Sequence, residues 1–210
     1  MISKKYKFIY IHIPKTGGNS IQTALAPYAD DRLFFRKSIG NIVDEDGLQG
    51  LSVFNDELGF TDSSVKHATI SHYHHKLGNE IYSYFIFASI RNPWDRVVSQ
   101  TAFFSKTNLP LSPLAIEELN LPSPMVDYLS VDGRILVGDF IRFESLQYDF
   151  NRVCERLGIE KIRLPHKNRS NRSGFSNYYS NESRIYVQEK FKSDIDVFGY
   201  AFNEGAVAND

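Results

Sequence analysis

Phe8-Ile-Tyr-Ile-His-Ile-Pro-Lys-Thr-Gly-Gly-Asn-Ser-Ile-Gln-Thr-Ala24 decides the fold. Its apolar run, Lys7–Ile13, reads as a buried strand that stops at Pro14. A Lys-Thr-Gly-Gly turn follows, and a helix begins near Asn19 or Ser20. A buried strand feeding a glycine turn and then a helix leaves backbone N–H donors at the helix start. Those donors, the positive end of the helix dipole and Lys15 beside them suit a phosphate. The arrangement is P-loop-like, but the lysine precedes the glycines, so it does not match a Walker A loop.

Working outward, Val65–Ile70 reads as a short strand, Tyr73–Tyr82 as a helix and Tyr84–Ile90 as a second buried strand. Trp94–Phe104 has helical spacing, with Pro93 near its start. Arg134–Val137 and Phe140–Phe143 read as one interrupted strand or two short ones. Glu144–Leu157 is amphipathic, with Leu146, Phe150, Val153, Cys154 and Leu157 on one stripe and Gly158 as its stop. Ser180–Phe191 is a last helix before the aromatic tail Val197–Phe202; that tail and Trp94 are expected in the core. Alternating strands and helices predict an α/β fold, a mostly parallel central sheet flanked by helices. Ligands gather beyond the C-terminal ends of such strands, so the junctions at Pro14 and Arg91 are expected on one sheet edge.

The 210 residues, 42% hydrophobic, fit one globular domain, 1–210, with no repeat or low-complexity tract. Residues 37–65 and 106–124 read as irregular loops on that domain. A net charge of −1 gives no global basic field for nucleic acid, although Lys161 to Arg172 is a local cationic segment. A single cysteine, Cys154, excludes an intrachain disulfide and gives no support for secretion. The N-terminal apolar run is too short to span a bilayer, so the expectation is a soluble cytoplasmic protein; an excised lumenal domain would read the same.

A second junction, Arg91-Asn-Pro-Trp-Asp-Arg-Val-Val-Ser99, ends a strand and opens a helix. Arg91 offers a planar fork and Ser99 a hydroxyl to one anion. Two anion sites on one edge imply a ligand phosphorylated at two places. Together, Pro14-Lys-Thr-Gly-Gly-Asn-Ser20 and Arg91–Ser99 closely resemble the donor-binding motifs of PAPS-dependent sulfotransferases. The likeness is to the branch containing heparan sulfate 2-O- and chondroitin sulfotransferases and their bacterial relatives. Phe140–Gly158 and Leu164–Phe202 share it; Asn19 departs from it, threonine being commoner there.

The resemblance implies that Lys15, Thr16, Gly17, Gly18, Asn19 and Ser20 surround the 5′-phosphosulfate, with Lys15 also stabilising the bridging oxygen. It places Arg91 and Ser99 on the 3′-phosphate and adds Lys167, Asn168, Arg169 and Ser170 from a late basic loop. The product would be PAP, with no metal required. Transfer to an alcohol needs a base, and histidine suits that role. Of His12, His67, His72, His74, His75 and His166, the choice is His67, with His72 as runner-up and His74 and His75 as solvated helix positions. The cluster of His72, His74 and His75 lacks an evident carboxylate or cysteine partner for a metal.

Each assignment has a plain structural counterpart. Gly17 and Gly18 make a tight turn, Lys15 is a solvated charge, and Arg91 pairs with Asp95, against which Arg96 is also present to pair with an acid. Ser99 is then a helix-surface hydroxyl, His67 a satisfied half-buried ring and 161–172 a solvated surface. Two rival functions stand beside the sulfotransferase: a P-loop-like kinase using ATP and Mg²⁺, and a non-catalytic module binding nucleotide or acidic glycan. The acceptor is a hydroxyl, expected on a carbohydrate from the branch alone; segments 28–64 and 105–133 should shape its pocket.

Overall fold

Three parallel strands carry the site. The computed structural model describes residues 1–30, 67–104, 111–118, 121, 123–165 and 174–202. Within these, β1 (Ile2–Ser3) and β2 (Phe8–Ile11) precede α1 (Gly18–Leu25), and α2 (Ile70–Leu77) precedes β3 (Phe85–Ile90). Then come α3 (Pro93–Phe104), α4 (Pro113–Glu118), α5 (Met125–Leu129), β4 (Ser130–Val131) and β5 (Arg134–Ile135). The described chain closes with β6 (Asp139–Arg142), α6 (Leu146–Leu157), α7 (Asn181–Lys190) and α8 (Lys192–Phe198).

The main sheet has the order β1-β2-β3-β6. Phe8 lies opposite Phe85 and Phe87 opposite Asp139 in parallel ladders, while β1 runs antiparallel on the outer edge. All of β2 is buried, as is β3 beyond its first residue. A strand covered on both faces has no polar side to alternate with, which is why both read as unbroken apolar runs. The sheet is therefore mixed and mostly parallel, flanked by helices. β4 and β5 form a separate antiparallel pair. The segment 134–143 thus holds two short strands that belong to different sheets.

Several boundaries follow from caps. Pro93 opens α3, and Asn92 Oδ1 accepts the Trp94 N–H at 3.1 Å. Gly158 closes α6 in the left-handed conformation (φ 66°), and Phe150, Val153 and Cys154 of the expected stripe are buried. One expectation fails. His67 is helical and Ile70 opens α2, so the described part of Val65–Ile70 is not a strand. Thr69 instead caps α2 reciprocally with His72.

A second apolar cluster joins α3 to the C-terminal helices through Trp94, Val97, Val98, Val187 and Phe191. Trp94 Nε1 donates to the Arg184 carbonyl at 3.0 Å, and Asn92 Nδ2 to that of Ala201 at 2.9 Å. Trp94, Phe198 and Tyr200 are buried as expected, but Val197 of the same tail is exposed and Phe202 only half-buried. Among the described residues no helix is long and apolar enough to cross a membrane.

Candidate active site at the C-terminal edge of the sheet

β2 and β3 end side by side, and the segments that follow them touch. Arg91, just past β3, donates from Nη1 to the Lys15 carbonyl at 3.0 Å. Arg96, one turn into α3, donates from Nε to the Pro14 carbonyl at 3.0 Å. The two motifs recognised separately in sequence are thus one structure. No described peptide bond is cis. In a trans peptide the C=O and N–H point in opposite directions, so both arginines turn the Lys15 and Thr16 amides to the other side of the loop. Lys15 adopts φ 68°, a left-handed conformation that a side chain other than glycine's rarely takes, and Gly17 has φ 83°. Such turns make amide concavities.

The loop runs into α1, whose N-terminus has no side-chain cap and no acidic residue in its first turn. The Ser20 N–H bonds to the Gly17 carbonyl at 3.1 Å, and the Asn19 carbonyl accepts from Thr23 Oγ1 at 2.8 Å. The Thr16 side chain turns inward: Oγ1 donates to the Ile13 carbonyl at 2.8 Å and lies 2.6 Å from Ser89 Oγ, which is 2.6 Å from Tyr10 Oη. Burial raises the Tyr10 phenol well above its ordinary range, with the Ser89 contact opposing, so this hydroxyl chain stays neutral. Thr16 therefore fastens the loop to β3 with its side chain.

Gly18 is required by a close approach. A Cβ there would fall on Cδ2 and Nε2 of the buried His12 ring and 2.8 Å from Tyr10 Oη. His12 also meets His67 edge to face, with ring centroids 4.6 Å apart, and its carbonyl lies 2.9 Å from His67 Nδ1. A carbonyl only accepts, so His67 Nδ1 carries the proton and the ring's basic lone pair sits on Nε2. His72 is the reverse case. Its Nδ1 accepts the Thr69 N–H at 3.0 Å and lies 2.8 Å from Thr69 Oγ1, so its lone pair is used in the cap of α2. Burial lowers its pKa, with a smaller contribution from His75. His74 is half-buried against Tyr82 and His75 is exposed.

Arg91 does form the structural pair with Asp95: Nε donates to Oδ2 at 2.8 Å and Nη2 lies 2.7 Å from the same oxygen. Its guanidinium, in a residue only 4% exposed, also stacks 3.6 Å from the centroid of the Phe143 ring. Ser99 is half-buried one turn beyond Asp95, on the same side of α3. Lys167, Asn168, Arg169 and Ser170 lie outside the described residues. Among the described residues no group of three or more His, Cys, Asp or Glu side chains is placed to hold a metal ion.

Sequence reasoning missed two residues here. His12 was one histidine among six; only its position two residues before Pro14, where the strand must turn, hinted at a packing role. Arg96, read only as available to pair with an acid, does lie 3.9 Å from Asp194 Oδ2, but its hydrogen bonds go to the Pro14 and Ser123 carbonyls.

A family model described as the sulfotransferase family matches residues 1–109, just over half of the chain, and takes in both junctions. The protein belongs to the sulfotransferase family. Neither the comparison with curated proteins nor that with solved structures returned a match.

Proposed function

We propose that this sulfotransferase uses PAPS as donor and transfers the sulfuryl group in line to a hydroxyl, with His67 as the base. The observation that carries the reading is the joined loop. Arg91 and Arg96 hold two of its carbonyls, which aims its amides together with the uncapped start of α1. PAPS supplies the sulfuryl group and departs as PAP.

Lys15, the backbone of Thr16, and Gly17, Gly18, Asn19 and Ser20 hold the 5′-phosphosulfate in this reading. Arg91 and Ser99 hold the 3′-phosphate, with Lys167, Asn168, Arg169 and Ser170 adding contacts. The fit rests on three features: a helix start with no acid of its own, a glycine with no room for a side chain, and an anchored arginine beside both. Lys15 and the loop amides stabilise negative charge on the leaving oxygen, and a preorganised set of such donors needs no rearrangement during transfer. His67 takes the acceptor proton at Nε2, since Nδ1–H is committed to the His12 carbonyl. No metal enters the scheme.

The acceptor we propose is a carbohydrate hydroxyl, supported by the resemblance to the heparan sulfate 2-O- and chondroitin sulfotransferase branch. The bonds from Trp94 to Arg184 and from Asn92 to Ala201 support 1–210 acting as one domain. The reading is tested by incubating the protein with PAPS and a panel of glycan and phenolic acceptors, and measuring PAP release in EDTA. Acceptor-dependent PAP release is expected. Hydrolysis of ATP with Mg²⁺, with PAPS untouched, would overturn the reading.

A further inference from the structure

We propose that Arg96 is a positioning residue for the donor loop, setting the 5′ side of the site through the Pro14–Lys15 peptide; this rests on the donor reading above. The guanidinium is buried, the residue being 1% exposed. Nε donates to the Pro14 carbonyl at 3.0 Å and Nη1 to the Ser123 carbonyl at 2.9 Å. Its nearest carboxylate, Asp194 Oδ2, is 3.9 Å away, beyond hydrogen-bond range. The Asp194 oxygens are taken by the backbone N–H groups of Met125 and Val126, at 2.8 and 2.9 Å. Nη2 has no hydrogen-bond partner among the described residues, and the Phe191 ring lies 5.9 Å off.

This arrangement is poorly explained as a stabilising ion pair. A buried pair repays its desolvation only with close geometry and satisfied donors, and an apolar side chain would pack here at less cost. Burial pulls the Arg96 pKa down to about 10 against the pull of Asp194, so the group stays charged at neutral pH. What it does hold is the loop. A carbonyl fixed by a cation fixes the N–H on the far side of the same peptide, and here that N–H belongs to Lys15. The same guanidinium holds Ser123, while Asp194 holds the next two amides from α8. Arg96 thus ties the donor loop to segment 123–126, in the stretch expected to shape the acceptor pocket. Lysine keeps the charge but cannot bridge two carbonyls with one planar fork.

The test compares calorimetric affinities for PAP and for adenosine 3′-phosphate, which lacks the 5′ group. In Arg96→Lys, with folding checked by circular dichroism, PAP affinity is expected to fall about tenfold, as for one lost charge-assisted contact. Adenosine 3′-phosphate affinity should stay within about twofold, so the ratio between the ligands shrinks. The ratio is the readout that a purely structural role would not move. An unchanged ratio, whether both affinities hold or both fall together, overturns the proposal. If Arg96→Lys does not fold, the double variant Arg96→Met/Asp194→Asn removes both buried charges, and the same comparison decides. Failure of the wild-type protein to bind PAP would overturn the donor reading itself, a result separate from an unchanged ratio.

Discussion

Gly18→Ala is the sharpest probe of the site's packing, because local propensity and tertiary contact give opposite signs. In an exposed helix the change stabilises by about 0.5–1 kcal/mol, since alanine has fewer unfolded conformations to lose. Here the new methyl would lie closer than 3.0 Å to the His12 ring and to Tyr10 Oη, a separation that real Cβ atoms essentially never show. His12 has little room to yield. It is 4% exposed and sits between Tyr10, at 6.2 Å between centroids, and His67, at 4.6 Å. Overpacking a well-filled site costs about 1–3 kcal/mol, which exceeds the propensity gain. The net expectation is a loss of about 1–2 kcal/mol, read as a fall in Tm of about 2–8 °C for a chain of this size. Urea denaturation of Gly18→Ala, His12→Ala and the double variant measures it. The double variant should be more stable than the sum of the singles implies, by about 1 kcal/mol, because removing the ring makes room for the methyl. A Gly18→Ala protein as stable as the parent, or a strictly additive double variant, would refute the close approach and with it the geometry assigned to the loop.

The other expectations concern the histidines. His67→Gln should bind PAP within about twofold of the parent while losing turnover by about 10²-fold or more, the range for a lost general base; full activity in a PAPS–acceptor assay would remove His67 from the mechanism. His72 should shape stability instead. Its folded pKa lies below the ordinary 6.5, so the unfolded chain takes up the proton first. Its contribution is fully present above pH 6.5 and is lost as pH falls below that value. Urea midpoints from pH 8 to 5 should therefore decline less steeply in His72→Gln than in the parent; parallel curves would contradict the cap.

The central strands were legible because burial on both faces leaves no alternation to misread: Phe8–Ile11 and Phe85–Ile90 fall inside their expected ranges. The stop at Gly158 was legible for a local reason, the left-handed cap. The segment around His67 was misread because Ala68, Thr69 and Ile70 look extended by composition. The signal there is the reciprocal cap, but a histidine stands where the usual glutamate or glutamine would mark it. The tail was half legible. Its aromatics mark burial, yet α8 and its left-handed Gly199 cap were not distinguished from it.

The site divides in the same way. Glycines, lysine and helix start could be read together because they are neighbours in sequence. That Arg91 takes Asp95 was open from the four-residue spacing alone. That Arg96 reaches across to Asp194, and that Thr16 spends its hydroxyl on Ser89, depend on partners far along the chain that no local pattern encodes. The loop's carbonyl side, fixed by the arginines, was invisible for that reason.

The central claim is that the joined edge of β2 and β3 is a donor site for a nucleotide phosphorylated at both the 3′ and 5′ positions. Calorimetric titration with PAP in EDTA, for the wild-type protein and for Arg91→Ala, tests it most directly. The expected result is metal-independent binding that is lost or weakened by at least about tenfold without Arg91, which bonds to the Lys15 carbonyl and is assigned to the 3′-phosphate. No heat with PAP, or equal affinity in the two proteins, would contradict the account.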